Sequence, residues 1–271
     1  MSDFLQQMAT GSRERLDSAR RARSEAALLQ TAQSMPSAPR LSTNPAHFDL
    51  IAELKLRSPA VGQLKAGTED VAARVTTYAQ AGAAAVSVLT EPSRFDGSMD
   101  HLEQATKALM PLKVPAMRKD FLVDPYQVLE ARVAGAGGVL VIIRMLSRSG
   151  IREMLECARK LGLFVLLEAF DEADIEVMHD VLAPVGAGPV LAGLNCRDLT
   201  TLQIVPQRLI ELAPLLPTHV PRVAESGVAT PEDAAVVAKA GYELALVGSA
   251  LMQGGDPHTL AAAMLNAGRR K

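Results

Sequence analysis

A (β/α)8 barrel, the TIM-barrel architecture of the α/β class, preceded by an N-terminal helical extension, is predicted by three features of the 271-residue sequence. From residue 49 onward, short apolar segments alternate with longer amphipathic ones. Such alternation implies a parallel sheet, because parallel strands need crossover connections. The apolar segments are continuous, so both faces of each strand are buried. Eight such units in about 220 residues suit a closed barrel better than an open doubly wound sheet. No Gly-x-Gly-x-x-Gly follows the first strand, which weakens a dinucleotide-binding alternative.

The elements follow in order. Residues 1–48 form an extension and linker, and residues 49–271 the barrel domain. In the extension, Phe4, Leu5, Met8, Leu16, Ala19, Ala26 and Leu29 recur at near-helical spacing. Arg13, Arg15, Arg20, Arg21 and Arg23 accompany them and read as a solvated helix face, with anion binding as the lesser alternative. The stretch SMPSAPRLSTNP reads as a loop. Strands are expected at 50–54, 84–89, 114–117, 139–143, 163–167, 190–194, 221–224 and 244–247. Helices open at Thr68 with Glu69, at Ser98 with Asp100, at Asp124-Pro125 and at Thr230-Pro231-Glu232-Asp233. Gly82, Gly135, Gly162 and Gly241 close helices.

Composition narrows the function classes. Apolar residues make up 48% of the chain, ample for a core, which excludes disorder for most of it. A net charge of -2 and 3% aromatics argue against nucleic acid or a membrane as partner. Two cysteines, Cys157 and Cys196, are too few for a disulfide framework. Cys196 lies beside Asn195 at the expected mouth, but no His stands near it in sequence to activate it. The five histidines fall away from the strand ends that carry chemistry, so no metal site is expected. No apolar run reaches the roughly 20 residues that span a bilayer, and the polar N-terminus lacks a signal core. A soluble cytoplasmic protein is expected, and without a heptad seam or a strongly apolar exposed face, a monomer.

In this architecture the chemistry lies at the C-terminal strand ends. Nearly every predicted strand runs into polar residues there: Glu53, Lys55 and Ser58; Thr90-Glu91; Arg118-Lys119-Asp120; Arg144; Glu168; Asn195 and Arg197; Glu225-Ser226-Gly227; Gly248-Ser249. Singly, each reads as a solvated loop residue. On one ring they bring three carboxylates and two lysines to one mouth. Glu53 and Lys55, two apart on a strand, point the same way. Such a mixed cluster drives pKa values apart, which yields an acid and a base at one pH. Gly227, Gly248 and Ser249 are candidates to hold a phosphate, because glycines admit close approach to backbone N–H groups and a helix N-terminus favours negative charge. The plainer reading is that these glycines only permit tight turns.

Several motifs together resemble the indole-3-glycerol phosphate synthases. They are Glu53-Leu-Lys55-x-x-Ser58-Pro59, Thr90-Glu91-x-x-x-Phe95-x-Gly97-Ser98, Arg118-Lys119-Asp120-Phe121 with Tyr126-Gln127, Leu194-Asn195-Cys196-Arg197-Asp198-Leu199, Ala224-Glu225-Ser226-Gly227 and Leu246-Val247-Gly248-Ser249-Ala250-Leu251-Met252. The resemblance implies a decarboxylating lyase of tryptophan biosynthesis. Its substrate is 1-(2-carboxyphenylamino)-1-deoxyribulose 5-phosphate, and it needs no metal or organic cofactor. By resemblance Lys119 is the general acid, and Lys55 a second cation near the carboxylate, the reacting oxygens and the phosphate. Glu168 is the favoured acid/base, with Glu53 assisting. Glu225, Asn195 and Arg197 orient substrate, and Phe95 and Ser226 belong to the same binding set. Ser58, Gly227, Gly248 and Ser249 grip the phosphate, and Phe121 and Leu199 pack on the aryl ring. The division of proton transfers among Lys119, Lys55 and Glu168 stays open at this level.

Three positions depart from the common pattern of the family: Ala60 where a second Ser is common, Cys196 where Asn is common, and Ala169-Phe170 where Val-His is common. They bear on affinity and pH profile, and leave room for a paralogue acting on a modified anthranilate. Two other readings compete. A sugar-phosphate isomerase on a sister barrel needs an Asp/Cys pair that is not at the first strand end here. A barrel kept only as a binding subunit would have lost a catalytic lysine or glutamate, and none is missing.

Overall fold

The alternation closes on itself. The computed structural model describes residues 3–43, 47–60, 62–64, 69–183, 189–253 and 255–269. Eight parallel strands form the wall: β1 (Asp49–Leu54), β2 (Ala85–Leu89), β3 (Ala116–Lys119), β4 (Gly138–Ile142), β5 (Phe164–Ala169), β6 (Val190–Asn195), β7 (Arg222–Glu225) and β8 (Leu244–Val247). Each pairs with its neighbour in sequence, and β8 returns to β1 with Asp49 opposite Leu244, so no sheet edge is left. A small antiparallel ladder, Arg57–Ser58 with Gly62–Gln63, stands above β1.

Two apolar layers hold the wall. Inside it, Ile51, Ala85, Met117, Leu140, Phe164, Leu166, Leu191, Val223 and Leu244 fill the barrel. Outside, alternate strand residues such as Leu50, Val86, Val139 and Val165 pack under the helices. A wall buried on both faces is why the strands read as unbroken apolar runs.

The helix signals behave as their chemistry requires. Ser98 accepts from His101 N at 3.1 Å, Asp124 from Tyr126 N at 2.9 Å, and Thr230 forms a capping box with Asp233. Gly82, Gly135, Gly162 and Gly241 take the left-handed conformation, φ 97°, 87°, 71° and 99°, that ends a helix. The helix after β1, Val71–Gln80, is capped by Asp70 and not by Glu69. Thr68 lies outside the described residues.

The eighth strand matches the sequence reading, five differ from it by one residue, and the third and fifth differ by two. The third runs over Ala116–Lys119 and not 114–117, because Val114 follows a left-handed Lys113 at the end of a 3-10 turn. The fifth extends to Ala169, so Glu168 lies inside the strand. In both cases a polar side chain sits on the inner face near the mouth, where polarity no longer marks the end of a strand.

The extension consists of α1 (Asp3–Ala22) and α2 (Glu25–Ser34). Leu5, Met8 and Ala9 of α1 join the inner core, so α1 lies across the barrel mouth. Here the expectation of a solvated arginine face fails for Arg15, which is partly buried, while Arg20 stays exposed but is paired. Arg15 Nη2 reaches Asp120 Oδ1 at 2.8 Å, and Arg20 Nη2 reaches Asp124 Oδ1 at 2.8 Å. Tyr126 Oη donates towards Ala19 O and Arg23 O at 3.0 and 2.9 Å, and Gln127 Nε2 donates to Ser12 Oγ at 2.9 Å. The arginines answer acidic residues at the end of β3 and at the start of the helix Pro125–Val133 (α3). No described helix is long and apolar enough to cross a membrane.

Candidate active site

A cavity of about 360 Å³ opens at the C-terminal end of the barrel. Every residue given a catalytic or binding role by the resemblance lines it, whereas the strand-end residues Thr90, Glu91, Arg118 and Arg144 do not: the lining includes Glu53, Lys55, Ser58, Phe95, Lys119, Phe121, Glu168, Asn195, Arg197, Leu199, Glu225, Ser226, Gly227, Gly248 and Ser249. Phe4 and Leu5 of α1 line it too, so the extension completes its wall. That volume falls within the usual range for small-molecule sites.

The charged groups are placed by strand register. Lys119 ends β3, Glu168 is the penultimate residue of β5, and Asn195 and Glu225 end β6 and β7 opposite each other. Lys119 Nζ lies 3.7 Å from Glu168 Oε2 and 3.8 Å from Glu225 Oε2. Asn195 Nδ2 donates to Glu168 Oε1 at 2.8 Å, which fixes that carboxylate and leaves Oε2 turned to the lysine. At the end of β1, Glu53 Oε1 pairs with Nζ of Lys55, the first residue past the strand, at 2.9 Å. Asn195 Oδ1 also accepts from Arg197 N at 3.0 Å, and Arg197 Nη1 donates to Leu202 O at 2.6 Å.

These neighbours move the proton affinities apart. Burial alone would lower Lys119, but Glu168, Glu225 and Glu53 together raise it, so it stays an ammonium. Burial raises Glu53, and Lys55 followed by Lys119 reverses this to a net lowering. Glu225 is raised well above the carboxylate range by burial and then by Glu168, with Lys119 only partly offsetting. One mouth thus holds a protonated amine, an ionised carboxylate and a carboxyl group that keeps its proton. Four buried side-chain oxygens lack a hydrogen-bond donor among the described residues: Ser87 Oγ, Glu168 Oε2, Glu225 Oε1 and Glu225 Oε2. Three of them belong to this ring.

The opposite part of the cavity is apolar. Phe121 meets Phe4 edge-on at 5.8 Å between centroids and Phe95 at 6.0 Å. Phe170 lines the cavity, and the Arg144 guanidinium lies 4.7 Å over its ring. Arg144 is itself held by Asp174 at 2.8 Å and Asp171 at 2.6 Å, so the strand-end arginine is a support and not a lining group.

After β7 the chain turns through Ser226 and Gly227, with φ 64° and 71°. A left-handed Ser costs roughly 1–2 kcal/mol. After β8, Gly248 leads into the short helix Ser249–Gln253. A Cβ on Gly248 would overlap Glu53 Oε1 and come within 2.9 Å of Lys55 Nζ, so this glycine makes room for the ion pair.

Other features were not legible beforehand. Cys196 is not at the mouth. Its side chain is fully buried in the outer layer beneath Gly227 and Leu209, and burial raises its thiol to about 11. Thr90 and Glu91, counted as mouth residues, serve the scaffold. Thr90 Oγ1 donates to Asp120 Oδ2 at 2.8 Å, and Glu91 caps the turn at Ser93 N and Arg94 N. Asp120 gathers Thr90, Arg118, Arg15 and the Phe121 N–H around one buried carboxylate. Its place directly after Lys119 was the available signal, but its partner Arg15 lies 105 residues away.

The chain resembles known proteins along its whole length. A 3-hexulose-6-phosphate synthase from Salmonella typhimurium matches at TM-score 0.62 with 15% identity, over 81% of this chain and 98% of that one, which speaks for the fold alone. An indole-3-glycerol phosphate synthase of Parafrankia sp. (strain EAN1pec) is 41% identical over 273 residues, covering 97% of this chain and 96% of that protein. One from Nocardioides sp. (strain ATCC BAA-499 / JS614) is 44% identical over 208 residues, covering 77% and 76%. The sequence profile described as indole-3-glycerol phosphate synthase matches residues 5–264, a span that takes in α1 together with all eight strands, and the chain belongs to that family.

Proposed function

We propose that the chain closes the indole ring of 1-(2-carboxyphenylamino)-1-deoxyribulose 5-phosphate, releasing carbon dioxide and water and leaving indole-3-glycerol phosphate, a lyase step of tryptophan biosynthesis. The observation that carries the mechanism is Lys119 Nζ between Glu168 and Glu225, 3.7 and 3.8 Å away, in a cavity with an apolar end. The aryl ring packs among Phe95, Phe121 and Leu199. The phosphate is gripped by Ser58, Gly227, Gly248 and Ser249 with help from Lys55. Ser226, Arg197, Asn195 and Glu225 orient the chain between those ends.

The aryl carbon that bears the carboxylate is a weak nucleophile, so the ribulose carbonyl must be activated. Lys119 gives its proton to that oxygen as the carbon–carbon bond forms. Loss of carbon dioxide returns the electron pair to the ring and restores its aromaticity. The new hydroxyl then takes a proton and leaves as water, while the neighbouring carbon gives up a proton to Glu168, assisted by Glu53. Two protons are delivered and one recovered, so each turnover takes one proton from solvent. General acid–base groups of this kind contribute roughly 100- to 10,000-fold.

The test is direct. Purified protein with fresh substrate is expected to develop the indole chromophore and release carbon dioxide in equal amounts. Saturable binding without product would leave a binding protein, and the proposal would fall.

A further inference from the structure

Glu225 does not point out of the barrel, and the reason lies on the next strand. Its Cα is level with Asn195, yet its carboxyl group lies against Gly193, two residues nearer the barrel floor. Gly193 and Asn195 share the inner face of β6, since side chains two apart on a strand point the same way. A Cβ on Gly193 would overlap Glu225 Oε1, stand 3.4 Å from Glu225 Cδ and 2.9 Å from Leu166 Cδ1. Glycine inside a strand weakens it and marks a place where another group comes close. Here that group is a carboxyl without a hydrogen-bond donor, 1% exposed. In the register of β5 with β6, Gly193 is the direct partner of Glu168. Any side chain at this position would push the Glu225 carboxyl out of its place beside Lys119.

We propose that Gly193 is a positioning residue for the ring closure: the missing side chain is the socket that holds the Glu225 carboxyl beside Lys119, in the place from which it orients the substrate. This rests on the reaction proposed above. The same device holds Glu53 against Gly248 where β8 meets β1, next to β7 in the barrel.

The test is a double-mutant cycle of Gly193→Ala with Glu225→Ala, read in kcat/KM and in melting temperature. In the parent background Gly193→Ala is expected to lower kcat/KM about a hundredfold, the cost of misplacing a reacting geometry by about 1 Å. With Glu225 already truncated, the same change is expected to cost less than about threefold, because contacting residues couple. Melting temperature should follow the same pattern, falling in the parent and much less in the Glu225→Ala background. Equal losses in both backgrounds would overturn the proposal, since the glycine would then act through the backbone or Leu166. If Gly193→Ala alone does not fold, a folded double variant supports the socket and an unfolded one overturns it. The melting cycle needs no turnover, so it judges Gly193 even if the indole assay fails.

Discussion

Arg118 and Lys119 are consecutive on β3, carry the same charge and are held in opposite ways. Arg118 faces the outer side of the wall, where it donates to Gln127 O at 2.9 Å, Glu130 Oε2 at 3.0 Å, Thr90 Oγ1 at 3.3 Å and Asp120 Oδ2 at 3.3 Å. Its nearest carboxylates are Asp120 and Glu130, and four of its five N–H groups are engaged. Lys119 faces the inner side, where its two closest carboxylate oxygens stand 3.7 and 3.8 Å away, beyond good hydrogen-bond distance. Around it three carboxyl oxygens of Glu168 and Glu225 have no hydrogen-bond partner among the described residues. A buried charge with its donors largely paired stabilises one geometry, whereas a buried charge among unmet partners is expensive in the free protein and ready for a ligand. The outer face of β3 is tied into the scaffold and the inner face opens on the cavity, separated by the thickness of one strand.

The sharpest way to break that contrast is to remove the outer cation. Arg118→Met would leave Asp120 short of a donor in a buried site, and a loss of about 3 kcal/mol in unfolding free energy is expected by urea titration. Turnover per folded molecule should fall far less than stability does. A smaller effect is expected at the rim. Arg15 is partly exposed and ties α1 to Asp120, so Arg15→Ala should raise KM about fivefold, the equivalent of roughly 1 kcal/mol, with kcat little changed. Steady-state kinetics checks this.

The smallest expected effect has the opposite sign. Glu225 in the folded protein binds its proton more tightly than an unfolded glutamate does, because of burial and then Glu168. Above the unfolded pKa of about 4.3 the unfolded chain releases that proton while the native one keeps it, so folding is penalised as pH rises. Glu225→Gln removes the penalty. It should melt with the parent near about pH 4 and about 2 °C higher near pH 8, while turning over more slowly. Melting curves at the two pH values decide it.

Much of this contrast was legible in the sequence. A strand buried on both faces has no reason to carry Lys119, Glu168 or Glu225 except where it leaves the core, so polar residues at strand ends pointed to the mouth. The same logic misplaced strand three, since Lys119 proved to be inside it. It could not separate Thr90 and Glu91, which serve the scaffold, from residues that serve the cavity, because period-two alternation near a strand end does not say which face is inner. Arg15 pairs with Asp120 across 105 residues, and no local pattern records such a distance. Gly193 and Gly248 were harder still. The space a missing side chain leaves has no signature until its occupant is seen.

The account depends on Lys119 as the acid that activates the carbonyl, and replacing that group alone tests this most directly. Lys119→Met keeps an unbranched side chain one atom shorter and removes the ammonium and its proton. Single-turnover measurement with the carboxyphenylamino substrate is expected to give binding within about tenfold of the parent and indole formation slower by 100-fold or more. Indole formation within about threefold of the parent rate would contradict the account, since that is far less than an acid–base group contributes.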